Sequence, residues 1–321
     1  MKTDAKQLLE TNVTKEVVIQ GVWGGYGAIV RKWLASEAYP TVVCKCISLP
    51  QPHSHPKGWN TSLSHQRKLR SFDVEVSWYR DYSSEYDPKC LSPLGLVCES
   101  NADGITLIMS DLASIGLSVV EADAAQSHWR LCLTWLANFH AKYMHSEGRN
   151  LWPEGTYWHL ATRPDEHDAM APGRLKLHAS LIAQTLSDTH YQTLVHGDAK
   201  LANFCFSPAL DRVGAVDFQY VGRGCGIKDV MLFISSCVPL DSASSLETEL
   251  LDHYFTELGH ALAFYQPQVD ASKVEHEWRP LYCVAWADFV RFLQGWSPEH
   301  WKLCGYSNYL AEQALEWLAT D

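Results

Sequence analysis

The sequence lacks the long apolar runs that membrane insertion and secretion require. No uninterrupted apolar stretch reaches membrane-spanning length, and the start, MKTDAKQLLETNV, has no apolar segment of signal-peptide length. An excess of basic residues is also missing, since 26 Lys and Arg stand against 37 Asp and Glu, for a net charge of -11. Binding to phosphate backbones needs a basic face. We therefore expect a soluble, cytoplasmic protein that binds neither nucleic acid nor membranes.

Paired cysteine motifs and internal repeats are absent as well. The ten cysteines are scattered from Cys44 to Cys304 without CxxC spacing, which fits neither a small disulfide-rich fold nor a zinc site. His53 and His55 lie in a polar, proline-containing segment without carboxylate or thiol neighbours, so we interpret this segment as a solvated insertion. The length of 321 residues suits two lobes or domains.

The character of the sequence changes about a third of the way along the chain. The first third contains the β-branched runs VTKEVVIQG, YPTVVCKCISL and ITLIMSDL, which are typical of strands. It also contains a segment over 65–82 with helical spacing, where Glu75 is a carboxylate in an otherwise apolar stripe. Long helical patterns follow to the end of the chain. We predict a small, sheet-rich lobe over 1–110, a hinge over 111–116 and a large helical lobe over 117–321.

The stretch LVHGDAKLANFCFSPALDRVGAVDFQY, over 194–220, places ionic residues among apolar ones, where charge is costly unless compensated. NFCFS and VGAVDF flank a turn with Pro and Asp, which predicts a hairpin with Asn203 and Asp217 near one end. Asp198 and Lys200 precede this hairpin. Two carboxylates and an amide form the oxygen-rich set that magnesium prefers, and a lysine suits a phosphate. Phosphoryl transfer gives each of these groups a role.

The pattern HGDxKxxN, followed after a short hairpin by DFQ, resembles the catalytic and metal-binding loops of the aminoglycoside phosphotransferase and choline kinase superfamily, relatives of the protein kinases. DFQ followed by GRGCGIKD is most similar to the ecdysteroid kinase-like and related bacterial small-molecule phosphotransferase group. The five fixed residues of HGDxKxxN arise by chance in a chain of this length with a probability on the order of one in ten thousand. The resemblance implies a bilobal, protein-kinase-like α+β fold, with a small antiparallel-sheet lobe and a large, mainly helical lobe. It also implies that ATP and Mg²⁺ are used to phosphorylate a hydroxyl of a small molecule.

The resemblance implies roles for the residues of the motif. Asp198 is the catalytic base or the group that orients the attacking hydroxyl. Lys200 steadies the transferred phosphoryl group, and His196 braces the loop by hydrogen bonding. Asn203 and Asp217 are the metal ligands.

The resemblance also implies how the first lobe binds the nucleotide. A lysine on the third strand contacts the phosphates and pairs with a glutamate on the following helix. The glycine-rich GVWGGYG matches the family's phosphate cover in composition, although its spacing departs from GxGxxG. LIMSDL occupies the position of the hinge, where backbone groups meet the adenine ring. The implied nucleotide-binding residues are Lys45, Glu75, Gly24, Gly25, Gly27, Met109, Asp111 and Leu112.

The acceptor alcohol is placed by the resemblance in the C-terminal region, near Asp198. The candidate contacts are Trp286, Asp288, Arg291 and Trp296. Aromatic rings beside an acidic residue suit a choline-like or amino-sugar acceptor by cation–π attraction, and the same rings suit a steroid or another flat apolar alcohol. Asp229 is either a helix N-cap or a tether of the catalytic loop. His140 is a structural histidine in this interpretation.

Two other functions stay open at this point. A nucleotide-binding module without turnover would scaffold a partner protein, although every catalytic position is filled by a competent residue. A metal-dependent hydrolase would use His196, Asp198 and Asp217, and would leave Lys45 and Glu75 without a role. The HRD and APE motifs of protein kinases are absent, which disfavours a peptide acceptor. DFQ in place of DFG implies a site that is formed constitutively.

Overall fold

The computed structural model describes residues 13–22, 26–48, 62–101, 104–120, 125–240 and 243–320. The strands are β1 (Val13–Gly21), β2 (Gly27–Leu34), β3 (Thr41–Ser48), β4 (Gly95–Asn101), β5 (Gly104–Ser110), β6 (Thr193–Val195), β7 (Phe204–Phe206), β8 (Val213–Ala215) and β9 (Gly222–Gly224). The helices are α1 (Ser62–Asp81), α2 (Gln126–Lys142), α3 (Pro164–Ala169), α4 (Arg174–Leu177), α5 (Ala179–Ser187), α6 (Ile227–Cys237), α7 (Ala243–Tyr265), α8 (Ala271–Trp278), α9 (Leu281–Trp296) and α10 (Gly305–Trp317). The predictions made for Gly24, Gly25, His53 and His55 lie outside the described residues.

The chain divides into two compact units, each built from separate segments. The first, which we call the sheet unit, comprises Met1–Val120 and Phe204–Gln219. The second, which we call the helical unit, comprises Glu121–Asn203 and Tyr220–Asp321. The segment with the ionic motif is thus shared between the two units. The predicted hinge over 111–116 contains a 3₁₀ turn, Leu112–Ile115, within the sheet unit.

The sheet unit contains an antiparallel sheet with the strand order β1-β2-β3-β5-β4. Because side chains alternate along a strand, β3 contributes to a cluster on each face. Val42 and Cys44 pack in one cluster, while Ile47 packs with Phe72 and Val76 of α1 in the other. The predicted strands β1, β3 and β5 and the helix α1 are present. The strands β2 and β4 were not predicted.

The hairpin predicted within the motif is confirmed. Strands β7 and β8 pair antiparallel, with Phe204 opposite Ala215. The Ser207 hydroxyl accepts hydrogen bonds from the backbone N–H groups of Asp211 (3.2 Å) and Arg212 (3.1 Å), which closes the turn. In sequence, Asn203 comes directly before β7 and Asp217 follows β8 after one residue.

The helical unit consists of long helices around a buried core. Strands β6 and β9 pair antiparallel, and β6 leads directly into the HGDxKxxN motif. Long helices such as α2 are present as predicted, whereas α4 and α5 are short and are separated at His178. Within the described ranges, no helix combines the length and the apolar character needed to cross a membrane.

A buried ionic network connects α6 to the loop that contains Glu154. Lys228 Nζ lies 3.0 Å from one carboxylate oxygen of Glu154, and His159 Nε2 lies 2.6 Å from the other. The side chain of Lys228 is 1% exposed and that of Glu154 is 19% exposed. Burial opposes ionisation of Glu154, but Lys228 and His159 outweigh it and lower the pKa of Glu154 to about 2.

This pKa makes the stability of the protein depend on pH. The unfolded chain has a glutamate pKa of about 4.3, so ionised Glu154 stabilises the fold above that pH and its contribution is lost as the pH falls toward 2. We expect Glu154→Gln to lower the free energy of unfolding by about 2 kcal/mol near neutral pH. The difference from wild type should shrink below about pH 4.5.

Urea unfolding at a series of pH values measures this effect. Glu147→Gln is the matched control, because Glu147 pairs with Arg149 at the surface, where ion pairs contribute little. A stability difference that stays constant as the pH is lowered would contradict the assignment of the shift to Glu154.

Candidate active site

The loop over 196–203, which we call the catalytic loop after its predicted role, follows β6 and has a conformation at Gly197 that only glycine permits. Gly197 has φ of 80°, in the left-handed region. A Cβ atom there would lie 2.1 Å from the backbone oxygen of Tyr220. The turn at Gly197 thereby determines the direction in which the side chain of the next residue, Asp198, extends from the backbone.

The loop is held by Asp229, in the first turn of α6. Its Oδ2 accepts a hydrogen bond from the backbone N–H of His196 (2.5 Å), and its Oδ1 accepts one from that of Gly197 (2.9 Å). His140 Nε2 lies 3.2 Å from the same carboxylate, and His140 Nδ1 lies 2.7 Å from the Tyr254 hydroxyl. The helix begins without a side-chain cap. Of the two interpretations of Asp229, the structure shows the tether, and His140 is structural.

The carboxylate of Asp198 is fixed by two neighbouring side chains. Its Oδ2 accepts hydrogen bonds from Lys200 Nζ (2.8 Å) and from Asn203 Nδ2 (3.1 Å). The backbone N–H of Asp198 donates to His196 Nδ1 at 3.3 Å. Asp198 and Asn203 are buried, whereas the Lys200 side chain is 45% exposed. The structure therefore brings these four predicted residues together.

The chemistry of the predicted metal ligands fits magnesium. Asn203 Nδ2 also donates to the backbone oxygen of Asp198 at 2.8 Å, so the amide oxygen is the end of the side chain suited to a cation. An amide oxygen from Asn203 and a carboxylate from Asp217 are ligands of the type that Mg²⁺ accepts. Among the residues that the structure describes, no three or more His, Cys, Asp or Glu side chains are grouped to hold a metal ion. His196, which the hydrolase alternative would use as a ligand, is fully buried.

The sheet unit contains the second predicted group, a buried ion pair. Lys45 on β3 places Nζ 2.5 Å from an oxygen of Glu75 on α1, and the two side chains are 3% and 4% exposed. Burial raises the pKa of Glu75, the charge of Lys45 lowers it, and that of Asp217 raises it further. Asp217 thus lies within electrostatic range of the pair. Its φ of 70° is uncommon outside glycine, and such backbone outliers cluster at functional sites.

The residues after Asp217 are bound along α1. Phe218 stacks on Trp78, with ring centres 4.4 Å apart. Gln219 Oε1 accepts hydrogen bonds from Lys68 Nζ (2.8 Å) and Ser71 Oγ (3.3 Å), both on α1. A glycine at position 219 would make neither bond. These contacts hold Phe218 and Gln219 against α1, and the expectation of a site that is formed constitutively stays a prediction.

The other residues predicted to bind nucleotide are packed against neighbouring strands, buried or ion-paired within the protein. Gly27 lies so close to β3 that a Cβ atom would be 2.0 Å from the backbone oxygen of Cys46. Met109 and Leu112 are buried. Asp111 forms an ion pair with Arg31, with 2.6 Å between Oδ2 and Nε. Their contacts with a nucleotide stay predictions.

Three of the four predicted acceptor contacts lie in the packed interior. Trp286, Asp288 and Arg291 of α9 are each at most 1% exposed. Arg291 Nη2 pairs with Asp288 Oδ1 at 2.8 Å and donates to the backbone oxygen of Trp158 at 2.9 Å. Trp296 is half-buried and stacks on Phe292. Packing of α9 is thus the observed role of the first three, which have no exposed surface for a ligand.

Two residues near the catalytic loop were missed from the sequence. Tyr157 donates its backbone N–H to the oxygen of Gly197 at 3.2 Å, and burial together with the charge of Asp198 raises the pKa of its phenol. Lys302 is buried, and the charge of Asp198 acts on it as well. Neither belongs to a motif, so only the folded chain reveals them.

Comparison with known proteins agrees with this geometry. The model of the ecdysteroid kinase-like family matches residues 165–266, which contain the catalytic loop, the hairpin and α6. The resemblance to the ecdysteroid kinase-like family is confirmed over this segment. None of the curated proteins matches the chain.

Solved structures with the same fold align with nearly the whole chain. The choline kinase LicA of Streptococcus pneumoniae aligns at 11% identity over 99% of this chain and 98% of its own, with a TM-score of 0.50. An ethanolamine kinase of Plasmodium vivax aligns at 12% identity over 98% of this chain and 84% of its own, also with a TM-score of 0.50. Identities this low establish the fold alone. The predicted protein-kinase-like α+β fold is confirmed.

The buried pair of Lys45 and Glu75 leads to a stability prediction. We expect Lys45→Met to lower the free energy of unfolding by about 3 kcal/mol, because it leaves a buried carboxylate without its cation. The double variant Lys45→Met/Glu75→Leu should recover most of this loss, since apolar replacement of a whole buried pair is often neutral. Denaturant unfolding measures both variants. Equal stabilities of the single and double variants would show that the pair is not desolvated as described.

Proposed function

We propose that this protein is an ATP- and Mg²⁺-dependent phosphotransferase that transfers the γ-phosphate to a hydroxyl of a small molecule in the cytoplasm. The observation that carries the proposal is the Asp198 carboxylate, held by Lys200 and Asn203 in a loop that Asp229 tethers. Phosphoryl transfer is catalysed mainly by positioning and charge neutralisation. A carboxylate fixed in this way is prepared to orient an attacking hydroxyl.

The helical unit supplies the groups that act on the acceptor. Asp198 accepts the hydrogen bond of the acceptor hydroxyl and takes its proton. The new O–P bond forms as the bond between the γ-phosphorus of ATP and its bridging oxygen breaks, and ADP leaves. Lys200, with its side chain 45% exposed, neutralises charge on the transferred phosphoryl group. Asn203 offers its amide oxygen as a metal ligand.

The sheet unit supplies the groups that act on the nucleotide. Lys45 contacts the phosphates, and the short pair with Glu75 fixes the position of its ammonium group. Asp217 is the carboxylate ligand of the metal. When bound, ATP supplies the phosphoryl group and magnesium neutralises its oxygens.

The comparisons support the same class of reaction. The matched family is named for ecdysteroid kinases, and the two solved structures are named as kinases of choline and ethanolamine. These acceptors differ in charge and size but are all small alcohols. The proposed reaction is the one that such kinases share, and the acceptor of this chain requires evidence from its own residues.

The test compares Mg·ATP binding with phosphoryl transfer. We expect Asp198→Asn to slow transfer from labelled ATP to an alcohol panel by at least about 100-fold, while the ATP dissociation constant changes by less than about threefold. The matched control is Asp188→Asn, an exposed carboxylate of the same unit, which should transfer at the wild-type rate. Wild-type protein that binds ATP and transfers to no alcohol would instead support the nucleotide-binding module.

A further inference from the structure

A buried lysine, Lys302, lies in the loop between α9 and α10. Lys302 is 7% exposed, and its Nζ donates to Ser235 Oγ at 2.9 Å. Its backbone is held by a bond from its N–H to His300 Nδ1 (3.2 Å) and one from Ser307 Oγ to its oxygen (2.5 Å). Among the described residues, no carboxylate lies within ion-pair distance of this ammonium group. An ammonium has three donors, so two have no hydrogen-bond acceptor in the described part of the chain.

This lysine lies on the catalytic side of the helical unit. Lys302 contacts Ser235 on α6, and the next residue of that helix is Ser236. The Oγ of Ser236 accepts a hydrogen bond from the backbone N–H of Leu201 in the catalytic loop (2.9 Å). Burial lowers the pKa of Lys302 to about 8, and the charges of Asp198 and Lys200 act on it in opposite directions. At neutral pH the group is therefore mostly cationic, and it lies within electrostatic range of the candidate base.

The aromatic rings beside it already face cations of the protein itself. Lys302 Nζ lies 5.3 Å from the ring centre of Phe289 and 5.4 Å from that of Trp301. The guanidinium of Arg163 lies 5.2 Å from the ring centre of Phe292, and the two phenylalanine rings are 6.3 Å apart. These cation–π contacts occupy rings that would otherwise attract a cationic acceptor.

The same aromatic layer reaches the catalytic loop through Tyr157. Its ring packs edge-on against those of Phe292 (5.7 Å) and Phe289 (6.4 Å), and its backbone N–H donates to Gly197. A chain of contacts within the helical unit therefore connects Lys302 and Arg163, through the phenylalanine rings and Tyr157, to the backbone before Asp198.

We propose that Lys302 selects the acceptor by charge. An alcohol with a carboxylate or another anionic group places that group on the ammonium, a neutral alcohol binds more weakly, and a cationic alcohol is repelled. The inference rests on the proposed function and narrows its acceptor class. It disfavours the choline-like and amino-sugar acceptors expected from the sequence, because a cation here would meet an uncompensated like charge.

Simple ions test the subsite without knowledge of the acceptor. Acetate and tetramethylammonium are added at constant ionic strength, and the melting temperatures of wild type, Lys302→Met and Lys302→Gln are recorded. Lys273→Met, an exposed lysine of the same unit, is the control for the change in net charge. Acetate should raise the melting temperature of wild type and of the control by about 2 °C or more and leave the Lys302 variants unchanged. An equal response of wild type and Lys302 variants, or stabilisation of wild type by tetramethylammonium, would overturn the proposal.

Matched alcohols then test selectivity during turnover. The series 3-hydroxypropanoate, 3-hydroxypropanamide and 3-aminopropanol keeps the carbon chain and changes the charge, and a bile acid with its amide and amine analogues does the same for a flat apolar acceptor. For wild type, kcat/KM should fall from acid to amine by at least about tenfold, and in Lys302→Met this ratio should fall to less than about threefold. An amine preferred by wild type would contradict the proposal. If no alcohol is phosphorylated, the proposed function fails, whereas the acetate titration still decides whether Lys302 binds anions.

Discussion

The candidate site depends on the hydrogen bonds between the carboxylate of Asp229 and the backbone of the catalytic loop. This carboxylate accepts hydrogen bonds from two consecutive backbone N–H groups, those of His196 and Gly197. A third hydrogen bond, with His140 Nε2, holds the carboxylate itself. A buried carboxylate is tolerated only where hydrogen bonds compensate it, and here the compensating donors are the loop backbone. The position of Asp198 therefore depends on the hydrogen bonds that Asp229 accepts from the two preceding residues, and not only on the contacts of the Asp198 side chain.

The site could be predicted from the sequence where its chemistry is local. HGDxKxxN places four ionic or polar residues within eight positions, and the hairpin that follows has a turn closed by Ser207 and flanked by apolar strands. The strands β1, β3 and β5 were evident from their β-branched runs. By contrast, β2 is half-buried along nearly all its length, and β4 is buried at one end and exposed at the other, so neither shows the alternation that identifies a strand.

What the sequence could not show depends on contacts between distant segments. Helical spacing in α9 indicated a buried face but could not show that Trp286 and Arg291 lie within the core. Lys302 has no motif, and its surroundings come from α6, α9 and its own loop. The proposed preference for an anionic acceptor differs from the expectation from sequence because, in the folded chain, Lys302 faces the rings of Phe289 and Trp301.

The proposed function requires that Asn203, and likewise Asp217, act as a ligand of the metal that is bound with the nucleotide. Paramagnetic broadening measures this directly when Mn²⁺ replaces Mg²⁺ in the presence of a nonhydrolysable ATP analogue. The account predicts that the backbone amide signals of both residues broaden strongly, and only when nucleotide is present. Broadening at one of them alone, or the same broadening without nucleotide, would contradict it.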